Sequence, residues 1–204
     1  MKKIDAIISV IIGFLIGVFL FIILRNIGMN IPYIKLILPY SWLLIIALPP
    51  SSLLGMFIVS FIGRKISIIL QVGKFVLVGA LNTLVDLGVL NILIGLTGIA
   101  SGIGYIVFKG TTFLIATVNS YFWNKYWTFE KKEQVSMSKE FSKFLITTSV
   151  GLILNVGIAS FVVNVMGPQF GIKEKVWATI GALAATLIAW IWNFLSSKFI
   201  VFKK

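Results

Sequence analysis

Between Ile4 and Leu24 the chain carries one charged side chain, Asp5, and apolar runs of similar density return five more times before the C-terminus. A helix needs about 20 such residues to cross the hydrocarbon of a bilayer. The mean hydropathy is +1.06, and only 12% of residues are charged, against about a quarter in soluble domains. These numbers predict an all-α integral membrane protein built as one compact helical bundle.

Composition also removes chemistries. The chain has no cysteine and no histidine, so disulfides, Cys/His metal sites, thiol nucleophiles and imidazole bases are excluded. The segments between apolar runs are too short for a nucleotide-sugar domain. No paired carboxylates, P-loop or metal cluster stands in them. The reading is a non-enzyme without cofactor, and not an ATP-driven pump by itself. The net charge of +12 points to anionic lipid rather than nucleic acid in so apolar a chain.

Taken in order, the runs predict six spans: 4–24, 33–62, 75–95, 105–124, 144–165 and 176–197. The first resembles a signal peptide, but it is too long for an h-region and no small-residue cleavage site follows Arg25-Asn26. It is read as retained. The second contains Pro49-Pro50, which should kink or break a helix. It is read as one long, kinked or tilted span, because 51–62 alone is too short to cross. Arg64, Lys65 and Lys74 are assigned to a basic loop. The N-terminus, 64–74, 125–143 and the tail together hold 13 Lys/Arg, and the opposite side holds 4. Lys/Arg excess marks the cytoplasmic side, so both termini are expected there, in the cell membrane.

The stretch Asn119 to Phe129 ends the fourth run in asparagines, aromatics and Lys125. Trp and Tyr rings favour headgroup depth, so Lys125, Trp127 and Phe129 are expected at the cytoplasmic interface, together with Lys198. The same layout recurs. Lys74-Phe75 and Lys143-Phe144 stand 69 positions apart, and Asp86 then falls on Asn155. Lys125-Tyr-Trp-Thr-Phe129 finds its counterpart in Lys198-Phe-Ile-Val-Phe202. Two tandem helical hairpins, 74–129 and 143–202, are therefore expected in the last four spans.

Asp86 is the only acid well inside a span, roughly 18 Å from the inner boundary at the helical rise. An ionisable group at that depth is a functional candidate by default. Gly79, Asn82 and Asp86 share one helix face, as do Lys109, Thr112, Ala116, Asn119 and Trp123. Lys109 stands roughly 24 Å from the boundary, and either snorkels outward or meets Asp86. A cation in a cavity suits a phosphodiester or pyrophosphate, and amides suit sugar hydroxyls. The alternative is a set of structural hydrogen bonds gluing helices. Asn124, Asn155 and Asn193 extend the set of candidate ligands, with milder stripes around Thr148, Gly151, Thr186, Trp190 and Ser197.

Phe75, Gly79, Asn82, Thr83 and Asp86, then Asn119, Asn124, Lys125, Trp127, Thr128 and Phe129, resemble the GtrA-like family in residue type and spacing. The resemblance covers 74–202. It implies a four-span domain over 74–204; the two further spans of 1–73 depart from the family's minimal form as an N-terminal extension, and the resemblance assigns them no role. It further implies transport of a polyprenyl-phosphate-linked sugar for cell-surface polysaccharide synthesis, beside a membrane glycosyltransferase. A non-transporting anchor for such an enzyme is the runner-up. An exporter using Asp86 as a proton site is weaker, since Lys109 stands near it. A homo-oligomer is compatible with the sequence, which does not decide it.

Overall fold

The computed structural model describes residues 1–27, 36–99, 102–131, 136–171 and 174–203. The described residues are helical, without strands, in six α-helices: α1 Lys3–Ile27, α2 Leu43–Ile62, α3 Ser67–Thr97, α4 Gly102–Trp123, α5 Met137–Ser160 and α6 Glu174–Ser196. Among the described residues, three stretches are long and apolar enough to cross a membrane: Lys3–Arg25, Leu43–Ile62 and Ser67–Thr97. A shorter apolar stretch covers Leu187–Val201. The chain forms two compact units, Met1–Glu130 and Lys131–Lys204.

In the first unit, α1 packs against both α2 and α3. Gly13 and Gly17 form a small-xxx-small step that lets backbones approach closely. A Cβ at Gly13 would lie 2.6 Å from the Leu48 carbonyl, and one at Gly17 2.7 Å from the Leu44 carbonyl. Both glycines thus face the turn of α2 that leads into Pro49-Pro50. Across this seam the Ser52 hydroxyl lies 2.6 Å from the Ser9 carbonyl and 2.9 Å from the Pro49 carbonyl. The prolines do not interrupt α2, which stays helical from Leu43 to Ile62. The interruption of the long second run lies earlier, at a 3-10 turn over Leu38–Tyr40, and residues 28–35 are outside the described set.

The third helix starts at Ser67, eight residues before the predicted span. Lys74 is therefore a buried helix residue and not part of a basic loop. Apolar residues continue upstream of Lys74, and its charge is neutralised locally, so nothing ends the helix there. Gly98 does end it, taking φ +73° at the C-cap and returning its N–H to the Ile94 carbonyl. Such a left-handed position favours glycine. Beyond α4, α5 and α6 the backbone widens into π-helical turns, at Asn124–Thr128, Phe161–Met166 and Ser197–Val201. The core of the first unit centres on Ile12, Ile16, Val78, Leu81, Val85 and Trp127.

Candidate functional site

In the first unit α3 and α4 pack as an antiparallel pair. Thr112, fully buried on α4, donates from Oγ1 to Asp86 Oδ1 on α3 at 2.7 Å. This bond sets the register of the hairpin, with Asn82 near Ala116 and Gly79 near Asn119 by the rise of two antiparallel helices. The two predicted stripes therefore face each other. Asn119 Oδ1 accepts from Trp123 Nε1 at 3.1 Å. Asn119 Nδ2 and Asn82 Oδ1 are buried without a hydrogen-bond partner among the described residues. Burying such a group unpaired costs about 1–3 kcal/mol. The side chain of Lys109 lies outside the described set, and so does its expected meeting with Asp86.

Asn124 opens the π-turn after α4. It donates from Nδ2 to the Ser120 carbonyl and hydroxyl, at 2.9 and 3.2 Å. Its Oδ1 and the Thr128 hydroxyl are buried and unpaired among the described residues. In the second unit Asn193 Oδ1 is likewise unpaired. It presses on Gly151, where an added Cβ would collide with the amide. The neighbouring Trp192 donates from Nε1 to the Thr147 carbonyl at 2.9 Å. Asn155 is half-buried on α5.

The aromatic and basic residues after α4 and α6 sit in matching surroundings. Lys125 Nζ lies over the Tyr121 and Tyr126 rings, at 5.4 and 5.8 Å, and donates to the Tyr121 hydroxyl. Lys198 Nζ lies over Phe194 and Phe199, at 5.8 and 5.5 Å. Cations over ring faces at this range gain roughly 0.5–2 kcal/mol, more when desolvated. Phe129 meets Phe75 at 6.3 Å, and Phe202 meets Phe144 at 5.9 Å. Trp127 and Phe129 are enclosed within their unit, whereas Tyr126 and Phe199 point outward.

A cluster that the sequence reading passed over joins the N-terminus to this turn. Lys74 Nζ is 2.7 Å from Asp5 Oδ1 and 3.1 Å from Glu130 Oε1. It also donates to the Trp127 carbonyl at 3.3 Å. Trp127 Nε1 donates to the same Asp5 oxygen at 3.0 Å, and Lys2 Nζ reaches Glu130 Oε2 at 2.8 Å. Asp5 and Lys74 are almost wholly buried. One signal was available: an acid in the first turn of a spanning helix needs a partner. In the second unit Lys131, also buried, donates to the Lys203 carbonyl at 2.8 Å and lies 3.6 Å from Glu140.

The hydrogen bond from Lys2, reinforced by Lys74, holds the Glu130 carboxyl below the usual carboxylate range, against the opposing effect of partial burial. The bond to Glu130 raises the Lys2 ammonium. A depressed carboxyl adds stability above its unfolded pKa and loses it as pH falls through the folded value. The melting temperature of the detergent-solubilised protein is therefore expected to fall as pH drops into and below the ordinary glutamate range. Glu130→Gln should flatten part of that fall in a pH-dependent melting series. The raised Lys2 contributes below its unfolded pKa and is lost as pH rises through the folded one.

A family model described as GtrA/DPMS, transmembrane domain, matches residues 74–202. The uncharacterized membrane protein YngA of Bacillus subtilis (strain 168) is 31% identical over 130 residues, which are 64% of this chain and 78% of that protein. No solved structure matches the chain. The match over 74–202 takes in both facing stripes, both aromatic-flanked lysines and Lys74 itself, and so the chain belongs to the GtrA/DPMS transmembrane-domain family.

Proposed function

We propose that this protein moves a polyprenyl-phosphate-linked sugar from one leaflet of the membrane to the other, for cell-surface polysaccharide synthesis or glycosylation. The observation that carries the reading is the α3–α4 hairpin. Asp86 is held by Thr112, while Asn82 and Asn119 keep buried amide atoms unpaired among the described residues. A cluster that served only to glue helices would satisfy its own members. Amides held unpaired beside a carboxylate suit a ligand rich in hydroxyls, with its phosphate drawn to Lys109. Asn124 is assigned to the same path in the first unit, Asn155 and Asn193 to a polar stripe of the second, and membership of the family supports the substrate class. The protein acts without catalysis, beside a membrane glycosyltransferase.

We read the fold as six spans with both termini cytoplasmic, the last four being two tandem hairpins after an extension over 1–73. Matching π-turns at Asn124–Thr128 and Ser197–Val201 support the tandem reading, as do the matching Phe pairs. Sites in transporters built of repeats lie near the midplane. The contact of Asp5 with Lys74 supports placing the N-terminus and the start of α3 on one side. Cysteines at Ser67 and Ser136 should be shielded from an impermeant thiol reagent in intact cells, and one at Thr97 labelled. The reverse pattern overturns the orientation.

The direct test is reconstitution in vesicles with a labelled lipid-linked sugar and a leaflet-access assay. Transfer that requires the protein is expected. If the sugar stays in its leaflet while a membrane glycosyltransferase still co-purifies, the protein is an anchor and not a transporter.

A further inference from the structure

The stripe of α3 that faces α1 is Lys74, Leu77, Leu81, Leu84 and Gly88. Lys74 and Leu81 are fully buried, Leu77 and Leu84 pack on the core, and a Cβ at Gly88 would run into the Phe19 ring of α1. Contacts of Asp5 with Lys74 and of Phe19 with Gly88 keep one offset, so α1 and α3 run parallel. The same spacing recurs on α5, 69 positions later, as Lys143, Ile146, Val150, Ile153 and Gly157. Within the second unit none of the described residues covers that stripe. Lys143 and Gly157 are exposed, as are Ile146 (63%) and Ile153 (69%), and Val150 is half-exposed. A Cβ at Gly157 meets nothing within 4 Å among the described residues.

We infer that this face of α5 is the seat of a transmembrane helix from a partner protein, one that runs parallel to α5 and carries a carboxylate level with Lys143. Charge complementarity sets the first requirement. Lys74 on the covered stripe takes Asp5 at 2.7 Å, whereas Lys143, with Lys139 one turn earlier, finds no ion pair among the described residues. Glycine sets the second. Gly88 accommodates an aromatic ring fourteen residues beyond Asp5, and Gly157 leaves the same notch at the same distance from Lys143. An occupant therefore presents an acid at its cytoplasmic end and a large side chain four turns deeper. The helix α1 meets both demands and defines the chemistry. The inference holds whether or not the chain moves a lipid-linked sugar.

The chain lacks cysteine, so disulfide trapping is clean. The full-length protein with Gly157→Cys is reconstituted with a synthetic peptide of residues 1–27 bearing Phe19→Cys. A disulfide between them is expected, and Leu152→Cys, off the stripe, should give none. Asp5→Lys in the peptide should cut the yield about tenfold, the scale of a close charge pair lost at an interface. Adding Lys143→Glu to the protein should restore it. Three results overturn the proposal: Gly157→Cys trapping a second copy of the full-length chain instead of the peptide; trapping indifferent to both charge changes; or no trapping, with anionic lipid alone covering the face.

Discussion

Replacing Asp5 by alanine is expected to remove most of the folded protein from the membrane. Asp5 Oδ1 takes both the Lys74 ammonium and the Trp127 indole N–H. Without it Lys74 keeps Glu130, but Glu130 is substantially exposed and also serves Lys2. Breaking a buried pair by removing one partner costs roughly 3–5 kcal/mol, because a desolvated charge is left behind. That is a large share of a typical folding free energy of about 5–15 kcal/mol. Abundance in the membrane and the melting temperature in detergent should both fall steeply. The double variant Asp5→Leu with Lys74→Met should recover much of the loss, since well-packed apolar residues often replace a buried pair at little cost. A single variant as stable as the native chain would show that the cluster carries no stability.

The second large effect concerns the proposed transport. Asp86→Asn keeps the shape of the side chain and still accepts the Thr112 hydroxyl, so the hairpin should survive. Removing the charge should lower leaflet transfer of the lipid-linked sugar by about tenfold or more, the effect of losing roughly 1.4 kcal/mol or more at the barrier. Asn82→Leu should act in the same direction while leaving abundance unchanged or slightly raised, because it removes an unpaired buried amide. The contrast is the test. If Asn82→Leu raises stability and leaves transfer intact, that amide belongs to no substrate path. If Asp86→Asn lowers abundance in proportion to transfer, the carboxylate is structural.

Much of the fold could be read along the chain, because hydropathy acts locally. Each apolar run must become a helix long enough to satisfy its own backbone, and no neighbour is needed to decide it. That Asn82 and Asp86 share one face of their helix, and Thr112 and Asn119 one face of theirs, follows from the 3.6-residue period in the same way. Pro49-Pro50 left the choice between a kink and a break open in the sequence, because a proline's cost depends on what surrounds the freed carbonyls. Packed beside Gly13 and Gly17 of α1, the α2 backbone stays helical through both.

Which charge meets which was left to the tertiary structure. Asp5, Lys74 and Glu130 are far apart in sequence, and each alone resembles an ordinary residue at a helix flank. Only the parallel packing of α1 on α3 brings the first to the second, and only the widened turn at Asn124–Thr128 brings Trp127 and Glu130 under both. Sequence sets where a charge lies along its own helix; the direction and register of the neighbouring helix set whether that charge is buried with a partner or left on the surface. Hence Lys74 and Lys143, which open matching helices with the same Lys-Phe step, end in opposite environments.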